Sequence, residues 1–259
     1  MHRAALFIEG IDFDPAEIEC VARRPDDRGD AHCRQVQLKK RMGHALWIGA
    51  NLAGSRLFLD ERIHDAFVER LLERTRTIKL GDPSSMESEM GPLATQDQLS
   101  KTQRFVERAI AEGAKLIHGG RRPSDPALSP GWFFLPTIFD GVTNDMYLAQ
   151  EEVFGPVLAI ITFRDEEEAI ALANRTRYGL AAGIWTKDLK RAHRVARGIR
   201  AGTVWINTYR ALSYASPFGG YNQSGYGREM GIEAVREFTQ VKSVWVNLAG
   251  GVPDPFVIR

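Results

Sequence analysis

From Leu57 onward, apolar and polar positions follow helical and strand periods in turn. Leu57-Phe58-Leu59 reads as a short strand, and Asp60 is placed to cap a helix whose Ile63, Phe67 and Leu71 share one face. Gly81-Asp82-Pro83 is expected to stop that helix. Thr95 precedes a second amphipathic helix with Leu99, Val106 and Ile110 as its buried stripe, and Gly113 suits a left-handed closing position. A strand is expected over residues 115–118. Beyond the Gly119-Gly120 turn, Trp132-Phe133-Phe134-Leu135 and residues 157–163 read as buried strands, the second continuously apolar as in a sheet covered on both faces. Asp165 caps a helix carrying Ala169, Ile170 and Ala173. Residues 180–185 then give a strand, 189–197 a helix and 203–206 another strand.

This alternation predicts an α/β fold, an open twisted sheet with crossover helices. Two segments depart from it. Residues 1–49 are dense in Arg, Asp and Lys with little apolar periodicity, and form an atypical, weakly patterned N-terminal segment. Residues 241–248 alternate bulky and polar side chains, as an exposed strand would unless another sheet accepts them.

Composition narrows the function classes. A chain of 259 residues, 44% hydrophobic and 26% charged, is an ordinary globular composition. Its formal charge of +1 provides no field for nucleic acid or an anionic membrane, so neither is expected as a partner. With no apolar run long enough to span a bilayer and no signal-like N-terminus, a cytoplasmic location is expected. Cys20 and Cys33 lack CxxC spacing and a neighbouring His pair, which argues against both a disulfide framework and a metal site. The basic stretch at 190–197 reads as the wet face of an amphipathic helix, and the glycine cluster at 225–231 as a turn.

Four short motifs stand in order: Ala53-Gly54-Ser55-Arg56, Glu151-Glu152-Val153-Phe154-Gly155-Pro156, Gly202-Thr203-Val204-Trp205-Ile206-Asn207 and Ser216-Pro217-Phe218-Gly219-Gly220-Tyr221, with Ser224-Gly225-Tyr226-Gly227-Arg228-Glu229 after them. Together with their intervals they resemble the C-terminal catalytic half of the aldehyde dehydrogenase superfamily. The resemblance covers essentially everything after Gly49. It implies a catalytic-type domain over residues 50–240 and an oligomerisation strand and tail over 241–259, with homo-oligomerisation through that strand.

The resemblance also assigns roles. Glu152 matches the carboxylate that holds the nicotinamide ribose hydroxyls, and Phe154 the ring that packs on the nicotinamide, with NAD or NADP as the family cofactor, expected to bind this chain weakly or not at all because the phosphate and adenine contacts belong mostly to the missing half. The chemistry suits those residues, since a carboxylate accepts two bonds from a vicinal diol and an aromatic face orients a flat ring. Read alone, Glu152 is a loop carboxylate and Phe154 a core residue. Gln98 and Lys101 lie one helical turn apart and match positions that reach the adenosine-side ribose, or else form a solvated helix face. Phe218, Tyr209 and Leu212 fall where the family lines a tunnel admitting the aldehyde substrate, with core packing as the rival explanation. Asn207 reads as a structural hydrogen-bonding residue.

One position breaks the pattern. Asn51 occupies the place of the family's cysteine nucleophile, and an amide cannot form a thiohemiacetal. The upstream dinucleotide-binding half has no counterpart in residues 1–49, and no Glu-Leu-Gly-Gly segment supplies a general base. The chain is therefore expected to be inactive alone, as a truncated or frameshifted dehydrogenase sequence. The alternative is a non-catalytic homologue that associates with full-length subunits as a binding or regulatory partner.

Overall fold

In the computed structural model the described residues are 54–248, 250, 251 and 256, with the backbone of 4–8. Asn51, Cys20 and Cys33 lie outside them. A seven-stranded mixed sheet is formed by β1 (Ala4–Ile8), β2 (Arg56–Asp60), β3 (Lys115–His118), β4 (Thr137–Asp140), β5 (Val157–Phe163), β6 (Ala181–Thr186) and β7 (Thr203–Ile206), in the order β3-β4-β5-β2-β1-β6-β7. β4, β5 and β2 pair in parallel, as do β6 and β7, whereas β1 is antiparallel to both β2 and β6. Those pairings point β4, β5, β2, β6 and β7 the same way. β3 reverses at one edge against β4.

The weakly patterned N-terminal segment thus contributes an interior strand of the sheet, Ala4–Ile8, with Leu6 opposite Phe58 on one side and Ile184 on the other. Periodicity could not mark it, because five residues paired on both edges carry no polar alternation.

Among the described residues six α-helices accompany the sheet: α1 (His64–Arg76), α2 (Gln96–Ala111), α3 (Tyr147–Gln150), α4 (Glu166–Asn174), α5 (Leu189–Gly198) and α6 (Gly231–Glu237). The pleat of β2 directs its side chains to two faces, each covered by helices. Phe58 joins Leu99 and Phe105 of α2, Ala169 of α4 and Val195 of α5 in one core, while Leu57 and Leu59 pack with Phe67 and Leu71 of α1, Ile160 and Trp185 in the other. Covering both faces is why residues 157–163 are apolar nearly throughout; only Thr162 is exposed.

Capping follows local chemistry. Thr95 accepts a hydrogen bond from Gln98 N at 3.1 Å, and Asp165 from Glu168 N at 2.8 Å, satisfying amides that the first helical turn leaves open. Gly113 takes φ +96° after α2.

Four expectations are corrected. Asp60 ends β2 instead of capping α1, which begins three residues later at an Ile63 N-cap; its carboxylate is engaged by the backbone N–H and guanidinium of Arg62. α1 ends at Arg76 with Thr77 as its C-cap, ahead of Gly81. Ile110 is exposed, because the buried stripe of α2 runs through Leu99, Thr102, Phe105, Val106 and Ala109 and leaves Ile110 past its margin. Residues 132–135 form no strand. Phe133 and Phe134 are buried, but Trp132 O and Leu135 N bond to Leu93 N and Arg121 O, and the ladder starts only after Pro136. Residues 241–248 are exposed as expected: they pair with no strand among the described residues, and Val241, Val244, Trp245, Val246 and Leu248 stand in solvent.

Candidate active site

The motif segments gather where the co-directional strands begin. Gly54 and Ser55 lead into β2, Glu151 to Pro156 into β5, Gly179 and Leu180 into β6, and Gly202 into β7. Their backbones are tied directly: Ala159 N donates to Ser55 O at 2.8 Å, Thr137 N to Pro156 O at 2.7 Å, and both Gly202 N and Tyr221 N to Gly179 O at 3.0 and 2.8 Å. A Cβ on Gly202 would sit 1.7 Å from Gly219 O, so the glycine is what allows these two motif segments to touch. Side chains on such loops are held by a rigid sheet while their polar groups stay available.

A groove opens at this end, lined by Ser55, Arg56, Glu152, Tyr178, Arg200 and Ser224 among others. Glu152 is half-buried, and burial is the main influence holding its carboxyl above the usual range. Glu151 pushes the same way, while Lys101 and Arg177 oppose. Glu151 itself pairs with Arg177, whose guanidinium lies 5.3 Å from the Tyr178 ring. Neither Arg177 nor Tyr178 carried a motif signal in the sequence.

The four residues matched to the cofactor come together beside α2. Phe154 projects a half-exposed ring from a backbone at φ +55°, and the Lys101 ammonium sits 5.0 Å from its centroid and 5.6 Å from that of Phe105. Gln98 does not form a free helix face: its Nε2 donates to Val153 O and Phe154 O, both at 2.7 Å. Gly155 rests against Thr102, which is fully buried and donates to Gln98 O at 2.9 Å.

The three residues matched to the substrate tunnel are placed differently. Tyr209 packs on the α1 face of the sheet, its ring 6.1 Å from Trp185 and edge-on to Trp205 at 5.4 Å, and its hydroxyl accepts from Gly54 N at 3.3 Å. Leu212 is exposed, and half-buried Phe218 is paired through its backbone with Glu229, both bonds 2.7 Å. Asn207 is structural: its side chain accepts from Thr186 N and donates to Thr186 O, each at 2.9 Å. Among the described residues no cluster of His, Cys, Asp or Glu could hold a metal ion, and no helix is long and apolar enough to cross a membrane.

The Glu152 loop with α2 and the side chain of Tyr209 therefore approach the start of β2 from opposite faces of the sheet. Sequence comparison defines the class. The aldehyde dehydrogenase family model matches residues 50–244, and the chain belongs to that family. It is 50% identical over 195 residues to a betaine aldehyde dehydrogenase of Bacillus subtilis, covering 75% of this chain and 40% of that protein. It is 49% identical over 211 residues to a (Z)-2-((N-methylformamido)methylene)-5-hydroxybutyrolactone dehydrogenase of Acinetobacter baylyi, covering 80% and 42%.

Among solved structures, an aldehyde dehydrogenase described as putative from Burkholderia cenocepacia superposes with a TM-score of 0.74 at 48% identity, over 79% of this chain and 42% of that one. A Staphylococcus aureus betaine aldehyde dehydrogenase in complex with NAD+ gives 0.71 at 40% identity, over 77% and 41%. The chain spans about 40% of the length of the curated relatives it matches.

Proposed function

We propose that this chain carries the C-terminal, substrate-facing part of an NAD(P)-dependent aldehyde dehydrogenase, whose reaction converts an aldehyde to a carboxylic acid. The observation that carries the reading is that Glu152 lines the groove with Ser55 and Arg56 at the start of β2, while Tyr209 holds the amide of Gly54, three residues beyond Asn51. Glu152 and Phe154 fit the nicotinamide end of the cofactor. A half-buried carboxylate with a raised pKa gains by accepting from ribose hydroxyls, and a half-exposed ring held from behind offers a flat apolar face. When bound, the cofactor accepts hydride from the reacting carbon. Lys101 offsets the Glu152 charge and supports the Phe154 ring. On the other face, Tyr209 fixes the Gly54 amide.

Family catalysis proceeds by thiolate attack on the carbonyl carbon, and an Asn51 amide has no comparable nucleophilicity. Removing the nucleophile of a dissected catalytic unit costs on the order of a millionfold. We infer that the 259 residues do not oxidise aldehydes by themselves. Turnover on an aldehyde panel that includes betaine aldehyde, with NAD and with NADP, tests this for the chain and for Asn51→Cys. Activity in the unsubstituted chain overturns it, and activity gained only by Asn51→Cys assigns the deficit to that one position.

A second reading is favoured by the exposed apolar tail at 241–248. Its bulky residues suit strand addition to the sheet of another subunit, either a copy of this chain or a full-length dehydrogenase in the cytoplasm. Native mass spectrometry of the chain alone and mixed with a full-length homologue reads this directly; a monomer in both samples refutes it.

A further inference from the structure

Thr95-x-x-Gln98 has the spacing of a capping box, in which the residue at the third helical position turns its side chain back toward the N-cap. Here the backbone half is made, with Gln98 N on Thr95 Oγ1, but the Gln98 amide nitrogen is directed across to the loop before β5. That nitrogen carries two hydrogens, and two carbonyls 2.7 Å away consume its donor capacity. Between those carbonyls stands Phe154 at φ +55°, a left-handed conformation that bulky residues avoid. The next residue, Gly155, is pressed onto Thr102, where a Cβ would come within 2.4 Å of Oγ1.

We propose that Gln98 is a positioning residue that acts through Phe154: its amide straps the 153 and 154 carbonyls to α2 and so holds the Phe154 backbone left-handed, aiming the ring outward from the groove loop. The inference rests on the reading of Phe154 as the nicotinamide-facing ring, and it assigns to Gln98 a task other than direct contact with a ligand. A strained backbone persists only where its surroundings over-determine it, and the strap, the Gly155 contact and the Lys101–Phe154 contact are three such determinants on one loop.

The test is phenylalanine-selective isotope labelling of the 259-residue chain, with the Phe154 signal assigned through Phe154→Leu. The amide-to-α-proton coupling and the Cα shift report its φ. Gln98→Met keeps the length and helix propensity of the side chain without a donor, and Gln98→Glu sets a carboxylate against the two carbonyls. Loss of the left-handed signature in both, with the remaining phenylalanine signals in place, is expected. A Phe154 signal unchanged in Gln98→Met overturns the proposal, and Gln98→Glu decides in the same way should the Met variant not fold.

NADH titration by fluorescence supplies the functional arm. Gln98→Met and Phe154→Ala are each expected to weaken binding about tenfold, the scale of one to two hydrogen bonds, with no further loss in the double variant. Additive losses would show Gln98 acting on the ligand itself and would overturn the proposal. Should the unsubstituted chain bind no NADH, the cofactor reading falls, while the Phe154 backbone still decides the role of Gln98.

Discussion

Gly155→Ala is a small change with a calculable consequence. The new methyl would lie 2.4 Å from Thr102 Oγ1, 3.0 Å from its Cγ2 and 3.3 Å from its Cβ. Thr102 is fully buried and its hydroxyl is committed to Gln98 O, so the side chain cannot rotate away without losing that bond. Overpacking of this kind costs about 1–3 kcal/mol and a lost hydrogen bond about 1 kcal/mol, and because rotating Thr102 gives up the bond to relieve part of the overlap, a fall in stability of about 2–3 kcal/mol is expected in urea unfolding. In thermal unfolding each kcal/mol corresponds to roughly 2–4 °C for a domain of this size. Thr102→Ala removes the two nearest atoms and leaves only the 3.3 Å contact, so in that background Gly155→Ala should cost under about 1 kcal/mol, a coupling of about 1–2 kcal/mol. A Gly155→Ala variant within about 0.5 kcal/mol of the parent, or an equal cost in both backgrounds, would refute the contact as the reason for the glycine.

Four further expectations follow from the same geometry. His64 bridges Asp65 and Asp140 at 2.8 Å each; burial opposes its charge, but the two carboxylates outweigh it and raise its pKa above 6.5. A raised folded pKa contributes stability that is complete below 6.5 and is lost as pH climbs through the folded value, so the penalty of His64→Gln in urea should be larger at pH 5.5 than at pH 8.5, and a reversed order would sink the assignment. Phe58→Ala, at a residue with 0% exposure, should lower unfolding free energy by about 3–5 kcal/mol by chemical denaturation. Asn207→Ala should cost about 1–3 kcal/mol for its two lost bonds, and Asn207→Val more, because a β-branched residue resists φ +51°; equal losses would argue against the backbone contribution. Asp165→Ala should cost about 1 kcal/mol by loss of the α4 cap, seen as a shift of the urea midpoint with unchanged slope.

Much of the site was legible because its chemistry is local. The Glu-Glu-Val-Phe-Gly-Pro run and the one-turn spacing of Gln98 and Lys101 pick out residues that do meet beside the groove. What each does there was not legible. The carbonyls that engage Gln98 lie 55 and 56 residues away, and the amide that Tyr209 holds lies 155 residues away, so no spacing rule relates them. Thr102 carried no signal either, because its place under Gly155 depends on how the loop before β5 lies across α2.

The sequence by itself determined the elements whose causes are contained within a few residues: the caps at Thr95 and Asp165, the apolar strand at Val157–Phe163, the left-handed Gly113 and the motif order that marks the family. Only the tertiary structure decided the place of Ala4–Ile8 inside the sheet between β2 and β6, the exposure of Ile110 and the absence of a strand at residues 132–135. It also decided that the Glu152 loop and Tyr209 reach the start of β2 from opposite faces. Caps and periodicity act over one or two turns of chain. Strand order, and which face of a sheet a side chain meets, come from packing between segments far apart in the sequence, whose cost and gain exist only once the core has formed.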